Sequence, residues 1–218
     1  YHSDGILMSS LPVHKLFKDG SVPTDKPVVL IDMESEQYDC VYIDNKQIGK
    51  IAAKILLERS SDLYVMTFVE PDTIFTSGVF KKRLDGFEEF LAANDIQFSS
   101  SKIFHSELNF HYALNEAMSI LNKVQKFPVG FFATTDLFGY GIVMAAKNLG
   151  LDVGKDVFIV GVDGQPWTED IGLTTIKQPI EEMSELATNI LIQKINSVSI
   201  PARKSVRFDP LVIRRMSA

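Results

Sequence analysis

Two aspartates carry the most suggestive chemistry in the sequence. Asp136 and Asp163 each close an apolar run, and the stretch Val129–Gly164 around them reads as strand, helix and strand. That order is typical of a parallel βαβ unit. Because ligands of open α/β sheets bind outside the carboxyl ends of the strands, the two aspartates mark a candidate site.

Most catalytic patterns are missing. A pair of carboxylates could perform acid–base chemistry, but an aspartate between a strand and a helix commonly caps the element that follows, and this interpretation is favoured over catalysis. Gly139 and Gly141 fall inside the predicted helix, and Met144 occupies the place of a third glycine, which excludes a dinucleotide loop. No Gly-x-Ser-x-Gly elbow occurs. The four histidines lack metal-ligand spacing. The sequence therefore predicts no cofactor and no metal.

The remaining polar and aromatic residues suit binding of a small polar ligand. Proteins hold sugars through hydrogen bonds from carboxylates and guanidinium groups, with an aromatic ring against the apolar sugar face. Arg83, Asp163 and one aromatic side chain would meet that need.

Composition excludes several other classes. The 218 residues carry a net charge of −6 and 45% hydrophobic residues, enough for one large α/β domain or two small lobes. No cluster of lysine and arginine suits a DNA duplex. The single cysteine, Cys40, fits a reducing, cytoplasmic compartment. Neither a membrane helix nor a signal peptide is visible, although the chain opens at Tyr1 without an initiator methionine.

The elements alternate along the chain. Apolar strand-like runs are separated by amphipathic helices, for example Ile48, Ala52, Ile55 and Leu56 on one helix face. This alternation predicts an α/β protein with parallel sheets. Residues Val206–Arg214 read as one extended segment that contains Pro210, which favours the edge of a sheet.

Several motifs now point to a known family. They occur in order as Asp44-Asn45, Arg83-Leu-Asp-Gly-Phe87, Phe132-Ala-Thr-Thr-Asp136, Asp156-Val157 through Gly161-Val-Asp-Gly164, Leu173-Thr-Thr-Ile-Lys-Gln-Pro179, and Pro210-Leu-Val212 with Arg214. Together they resemble the effector-binding domain of lactose/galactose-repressor (LacI/GalR) transcription regulators.

The resemblance implies a periplasmic-binding-protein-like fold. Two parallel-sheet, three-layer lobes would be joined by crossover strands, with residues 1–43 and 179–203 in the N-terminal lobe and 44–178 and 204–218 in the C-terminal lobe. The chain starts where the family's third strand–helix unit would, so the first lobe is expected to be incomplete. The DNA-reading helix-turn-helix is also expected to lie outside this chain.

The resemblance also implies roles for single residues in a cleft between the lobes. Arg83 matches the arginine that clamps ligand hydroxyls, and Asp163 matches the aspartate that accepts them. Phe110 looks like the aromatic residue that packs against the ligand. The further expected contacts are Thr135, Asp136, Asp32 and Gln178. Asp136 is as readily a helix cap as a contact.

Two points leave the ligand open. The family often has a small polar residue four positions before the arginine, where this chain has Val79. Trp167, the only tryptophan, either lines the cleft or covers an apolar edge.

The predicted function is a sugar-sensing domain that controls DNA binding allosterically. Its partners would be a small-molecule effector, a second copy in a homodimer, and operator DNA through an N-terminal domain outside this chain. The alternatives are a transport-linked sugar-binding protein of the same fold, and an α/β enzyme that uses Asp136 and Asp163.

Overall fold

The computed structural model describes residues 3–71, 73, 76–197 and 202–218. The chain forms two compact units, each assembled from three segments. The first contains Tyr1–Asp44, Pro71–Gly78 and Pro179–Asp209, and the second contains Asn45–Glu70, Val79–Gln178 and Pro210–Ala218. The fold is α/β with one sheet in each unit, as predicted. None of the described helices is both long and apolar enough to cross a bilayer.

The first unit is built on a four-stranded sheet. Its strands lie in the order β1-β2-β3-β9 and all pair in parallel: β1 (Ile6–Ser9), β2 (Val28–Ile31), β3 (Asp39–Ile43) and β9 (Ser205–Phe208). The short helix α1 (Val13–Leu16) contributes the buried Val13 to the core. Helix α6 (Ile180–Asn196) packs on β1, β2 and β3. It does so through Met183, Ala187, Ile190 and Leu191, the apolar face that helical periodicity predicts.

A buried ion pair joins helix α6 to the first residue of strand β3. Lys194 on α6 lies 2.9 Å from Asp39 at the start of β3, and both side chains are almost fully buried. The other carboxylate oxygen of Asp39 accepts a hydrogen bond from the backbone nitrogen of Lys204 at 2.6 Å. One aspartate thus links α6, β3 and the residue that leads into β9.

The second unit is built on a six-stranded sheet. Its strand order is β10-β8-β7-β6-β4-β5, and only β10 runs antiparallel. The strands are β4 (Leu63–Thr67), β5 (Ile103–His105), β6 (Val129–Ala133), β7 (Val157–Asp163), β8 (Thr174–Lys177) and β10 (Leu211–Ile213). The long buried strands β6 and β7 are almost continuously apolar because both of their faces are covered.

Four helices cover this sheet as two pairs. Helix α2 (Asn45–Leu57) packs against α3 (Val79–Ala93), and α4 (Phe110–Leu121) packs against α5 (Asp136–Asn148). From β4 the chain crosses to β5 at the edge of the sheet, and it then returns past β4 to β6. Because crossovers between parallel strands are right-handed, this change of direction places the two helix pairs on opposite faces of the sheet. This reversal creates a topological switch point between the carboxyl ends of β4 and β6, where doubly wound sheets bind ligands.

The extended segment near the end of the chain differs from the expectation. Instead of one strand it forms β9 and β10, which pair at the edges of different sheets. Pro210 separates them because a residue without an N–H cannot continue a ladder. Residues 205–208 therefore belong to the four-stranded sheet, whereas the sequence-based boundary placed 204–218 wholly in the other lobe.

Candidate functional site

The polar residues of the second unit converge at the switch point. Thr67 ends β4, and Thr134 follows β6, and their hydroxyl groups are 3.1 Å apart. Asp163 ends β7, and Gln178 follows β8. Sequence reasoning placed functional residues at strand carboxyl ends, and the sheet order brings these particular ends side by side.

Arg83 reaches this edge from helix α3. The side chain is 4% exposed. Its Nε donates to Asn45 Oδ1 at 2.9 Å, and its Nη1 donates to the Thr134 carbonyl oxygen at 2.6 Å. The guanidinium carbon lies 5.6 Å from the centre of the Phe80 ring. These contacts fix the plane of the guanidinium group, and a plane fixed in this way is prepared for directional hydrogen bonds.

Two glycines explain how α3 can hold Arg83 so close to Asn45. A Cβ on Gly86 would clash with the Lys46 carbonyl oxygen of α2, and a Cβ on Gly49 would clash with the Arg83 carbonyl oxygen of α3. The backbones of the two helices therefore touch directly at this crossing. Gly86 belongs to the Arg83–Phe87 motif, and its place three residues after Arg83 has a packing reason: the glycine lets the arginine reach Asn45.

Asp163 forms the acceptor half of the site. Its Oδ1 lies 3.6 Å from Arg83 Nη1. Thr135 donates its hydroxyl to Oδ2 at 2.6 Å, and Gln178 donates its Nε2 to Oδ1 at 2.8 Å. The Gln178 side-chain oxygen is buried and has no hydrogen-bond partner among the described residues. The structure thus brings together four of the residues predicted from sequence: Arg83, Thr135, Asp163 and Gln178.

The backbone at Asp163 is unusual. Its φ is 120°, a conformation that L residues rarely adopt and that costs roughly 1–3 kcal/mol. Such strain persists where the surroundings hold it, and it is concentrated at ligand sites. The strain and the hydrogen bonds from Thr135 and Gln178 together indicate that the surroundings fix the conformation of Asp163.

Asp136 is not the cap of its helix. Thr135 is the N-cap residue of α5, and Asp136 is the first helical residue. The Asp136 carboxylate instead accepts the Thr175 hydroxyl at 2.6 Å and the Gln165 backbone nitrogen at 2.8 Å. It is 0% exposed. The capping alternative is therefore wrong, because both carboxylate oxygens of Asp136 accept hydrogen bonds from residues outside the helix.

Burial changes the acidity of this group. Desolvation raises the pKa of Asp136 from 3.8 to about 7, opposed by its hydrogen bonds to Thr175 and Gln165 and assisted by the nearby charge of Asp163. A perturbed carboxyl group in a site can indicate a catalytic acid. Here the group has no exposed surface through which to meet a substrate.

Three aromatic rings form a row beside α4 and α5. The Phe110 and Tyr140 rings are 4.7 Å apart between centroids, and the Tyr140 and Trp167 rings are 5.6 Å apart. Trp167 is 37% exposed. Tyr140 was not among the predicted site residues, because the glycines on either side of it suggested only a dinucleotide-binding loop, which the sequence excludes. The ligand roles of Phe110 and Trp167 stay predictions.

Asp32 lies in the first unit, directly after β2. It accepts the Ser10 hydroxyl at 3.2 Å. The backbones of Asp32 and Ser10 are both in the left-handed region, with φ of 58° and 52° respectively. The proposed role of Asp32 as a ligand contact stays a prediction.

The side chains of the site can bind but are poorly suited to catalysis. Guanidinium, amide, hydroxyl and carboxylate groups supply donors and acceptors. Among the described residues, no three histidine, cysteine, aspartate or glutamate side chains are close enough together to hold a metal ion.

The family comparison confirms the predicted periplasmic-binding-protein-like fold. Residues 66–217 match the periplasmic binding protein-like domain. The chain belongs to this family, as an effector-binding domain of the LacI type of transcriptional regulator.

Two curated relatives and two solved structures illustrate the likeness. The chain is 31% identical to the HTH-type transcriptional regulator MalR of Clostridium butyricum, over 88% of this chain and 57% of the relative. It is 27% identical to the sucrose operon repressor of Streptococcus mutans, over 91% and 59%. A probable transcription regulator from Thermus thermophilus matches with 30% identity and a TM-score of 0.87, over 100% of this chain and 80% of that one.

The second solved structure is a complex of the transcriptional regulator CelR with cellobiose. It matches with 21% identity and a TM-score of 0.78, over 100% of this chain and 66% of that one, which shows the shared fold. All four proteins are transcriptional regulators, so the class is that of regulators rather than enzymes. The chain spans less than two thirds of the length of the two curated relatives.

Proposed function

We propose that the chain senses a sugar through the Arg83–Asp163 site of its second unit. The observation that carries the proposal is the buried guanidinium group of Arg83, held 3.6 Å from the Asp163 carboxylate at the switch point of the sheet. At that distance the pair is not closed into a direct hydrogen bond. A ligand hydroxyl can donate to Asp163 and accept from Arg83 at once.

The chemistry of the site favours a sugar over an anion. An anionic ligand would pair with Arg83 but would be repelled by Asp163. A sugar hydroxyl is both donor and acceptor, and it satisfies both side chains without adding charge. The Phe110 ring offers apolar surface of the kind that packs against sugar rings. The likeness to a sucrose operon repressor and to a cellobiose complex supports the same class of ligand.

The sensing role requires a DNA-binding partner domain. The relatives are transcriptional regulators, of which this chain matches 57–59% of the length. We infer that the effector domain acts on a DNA-binding segment of the whole protein. An effector can do so only if its affinity differs between two states of the domain.

A homodimer is the second part of the proposal, implied by membership of the family. Exposed apolar side chains on the second unit are consistent with it: Leu108, Tyr112 and Trp167 are 46%, 55% and 37% exposed. Sedimentation equilibrium should give twice the chain mass. Tyr112→Glu, which places a charge on this surface, should shift the equilibrium toward monomer. A wild-type protein that sediments as a monomer at all concentrations would contradict the dimer.

The decisive experiment is a calorimetric titration with sucrose and with cellobiose, the sugars named for the relatives. Asp163→Asn keeps the shape of the side chain but removes its charge, and Arg83→Lys keeps the charge but removes the fork of donors. We expect each change to weaken binding at least tenfold, since a buried partner is left poorly satisfied. Asp152→Asn, at an exposed aspartate of the same unit, is the matched control and should leave affinity unchanged.

Two results would overturn the proposal. One is a folded Asp163→Asn protein that binds the sugar as tightly as the unchanged chain. The other is binding of neither sugar, which would contradict this choice of effectors. Asp32→Asn belongs in the same series, because a contact role for Asp32 predicts weaker binding.

Trp167 provides an independent signal. It is the only tryptophan in the sequence, so tryptophan fluorescence reports on one ring. Its contact with the Tyr140 ring favours the reading in which it covers an apolar edge. We therefore expect sugar binding to change its emission little, whereas strong quenching would make Trp167 part of the binding surface.

A further inference from the structure

A second polar cluster lies at the same edge of the second unit and is completely buried. Asp136 and Thr175 are both 0% exposed, and they are joined by the 2.6 Å hydrogen bond from the Thr175 hydroxyl to the Asp136 carboxylate. Full burial means that neither side chain can touch an incoming sugar. Their contacts lead instead to the backbone that follows Asp163.

Both members of the cluster hold this backbone. The Gly164 nitrogen donates to the Thr175 hydroxyl oxygen at 3.2 Å, and the Gln165 nitrogen donates to Asp136 Oδ2 at 2.8 Å. The two amides that come directly after Asp163 are therefore both anchored to buried side chains. Backbone amides at the end of a strand would otherwise have to find water or another partner.

The sheet makes room for the carboxylate. Gly161 on β7 lies opposite Thr175 on β8 in the ladder. A Cβ on Gly161 would clash with Asp136 Oδ1 and would come within 3.1 Å of Leu173. The missing side chain at Gly161 thus creates the space in which Asp136 meets Thr175. Room for one carboxylate in an otherwise apolar strand indicates a specific placement of Asp136.

The anchored amides directly follow a residue whose backbone is strained, Asp163. With φ at 120°, Asp163 is in a conformation that survives only where surrounding contacts determine it. Thr135 and Gln178 hold the side chain of Asp163, but they do not hold the residues that follow it. The anchored amides of Gly164 and Gln165 are the contacts that restrain the backbone on that side.

We propose that Asp136 and Thr175 are positioning residues that fix the backbone at Gly164 and Gln165 and thereby hold the Asp163 carboxylate in its binding orientation. This inference rests on the proposed function, because it assumes that Asp163 contacts the effector. When a site is already ordered before the ligand binds, less of the free energy of binding is lost in ordering its side chains and backbone. Affinity should therefore depend on a hydroxyl group that the ligand never touches.

Amide hydrogen exchange measured by NMR tests the support without any ligand. Thr175→Val keeps the branched shape and removes the hydroxyl, while Thr175→Ser keeps the hydroxyl. We expect exchange at Gly164 and Gln165 to rise at least tenfold in Thr175→Val and to stay near the unchanged protein in Thr175→Ser. The Val129 amide, bonded to the Asp156 carbonyl oxygen at the other end of β6, is the internal control.

Titration with sucrose and cellobiose then tests the consequence. Thr175→Val should bind the effector at least tenfold more weakly, and Thr175→Ser should restore affinity to within about threefold. If amide exchange at Gly164 and Gln165 is unchanged in Thr175→Val, the proposal that the buried cluster holds this backbone is wrong. Increased exchange with unchanged affinity would overturn its role in binding. If neither sugar binds the unchanged protein, the proposed effector class fails, while the exchange measurement still decides the support.

Discussion

At the scale of single residues, the two aspartates of the βαβ stretch have separate tasks. Asp163 is partly exposed and accepts hydrogen bonds from Thr135 and Gln178 beside Arg83. Asp136 is fully buried and accepts from Thr175 and Gln165. Their sequence surroundings are similar, and only burial and partners distinguish a binding group from a supporting one.

Burial of Asp136 has a consequence for stability. Its pKa is raised to about 7 in the folded protein, so between roughly pH 4 and 7 the folded state holds a proton that the unfolded state has lost. This contribution is complete below about pH 4 and is lost as the pH rises through 7. The difference corresponds to on the order of 4 kcal/mol.

The variant Asp136→Asn should remove this pH dependence. An asparagine can accept the Gln165 N–H and donate to the Thr175 hydroxyl oxygen, so both contacts are kept without a titrating group. Urea unfolding at pH 5 and pH 8 should show a smaller loss of stability toward pH 8 in the variant than in the unchanged protein. Equal losses in the two proteins would contradict titration of Asp136 in this range.

At the scale of elements, the contact between α2 and α3 depends on glycine. Gly86→Ala should destabilise the protein by about 2 kcal/mol or more, because the new methyl group meets the backbone of α2 and not a side chain that can turn away. Chemical denaturation measures the loss. Lys82→Ala, at an exposed position of the same helix, should change stability by less than about 0.5 kcal/mol.

The same prediction has a functional side. Separating the helices moves Arg83 away from Asn45, which accepts its Nε hydrogen. Gly86→Ala should therefore also weaken effector binding in protein that remains folded. A variant as stable as the unchanged protein would show that the two helices can part at little cost.

Helix α6 offers a second test at this scale, in the first unit. Lys194→Met removes the charge that faces Asp39, while the buried carboxylate keeps its hydrogen bond from the Lys204 amide. We expect a loss of about 3 kcal/mol, since breaking one partner of a buried ion pair is costly. Asp39→Asn combined with Lys194→Met should recover part of it, as measured in a double-mutant cycle by denaturation. Additive losses would contradict the coupling.

At the scale of the whole molecule, effector binding should appear as thermal stabilisation. A ligand at about 100 times its dissociation constant stabilises the folded state by about 2.7 kcal/mol. For a chain of this size that corresponds to a rise of roughly 5–10 °C in the unfolding temperature. Scanning calorimetry with sucrose or cellobiose measures it. Asp163→Asn should show no comparable rise at the same sugar concentration.

Much of this architecture could be read from the sequence. Apolar runs and amphipathic periods predicted the alternating strands and helices, because burial of one face imposes those patterns locally. The resemblance of the Arg83–Phe87 and Gly161–Gly164 motifs to the family predicted Arg83 and Asp163 as candidate ligand contacts. These signals are carried by a few neighbouring residues each, so no knowledge of distant contacts was needed.

Other features depend on contacts between distant residues. Thr175 looked like an ordinary strand residue, and Asp136 looked like a helix cap, until the pairing of β7 with β8 brought Thr175 and Gly161 together at that carboxylate. Residues Val206–Arg214 looked like one extended segment, but the structure divides this part of the chain at Pro210 into two strands that pair with different sheets. The sequence by itself determined the class of fold, the family and the chemical character of the site. Only the tertiary structure decided which aspartate is buried and which stays partly exposed beside Arg83, because burial and hydrogen-bond partners are properties of the packed sheet.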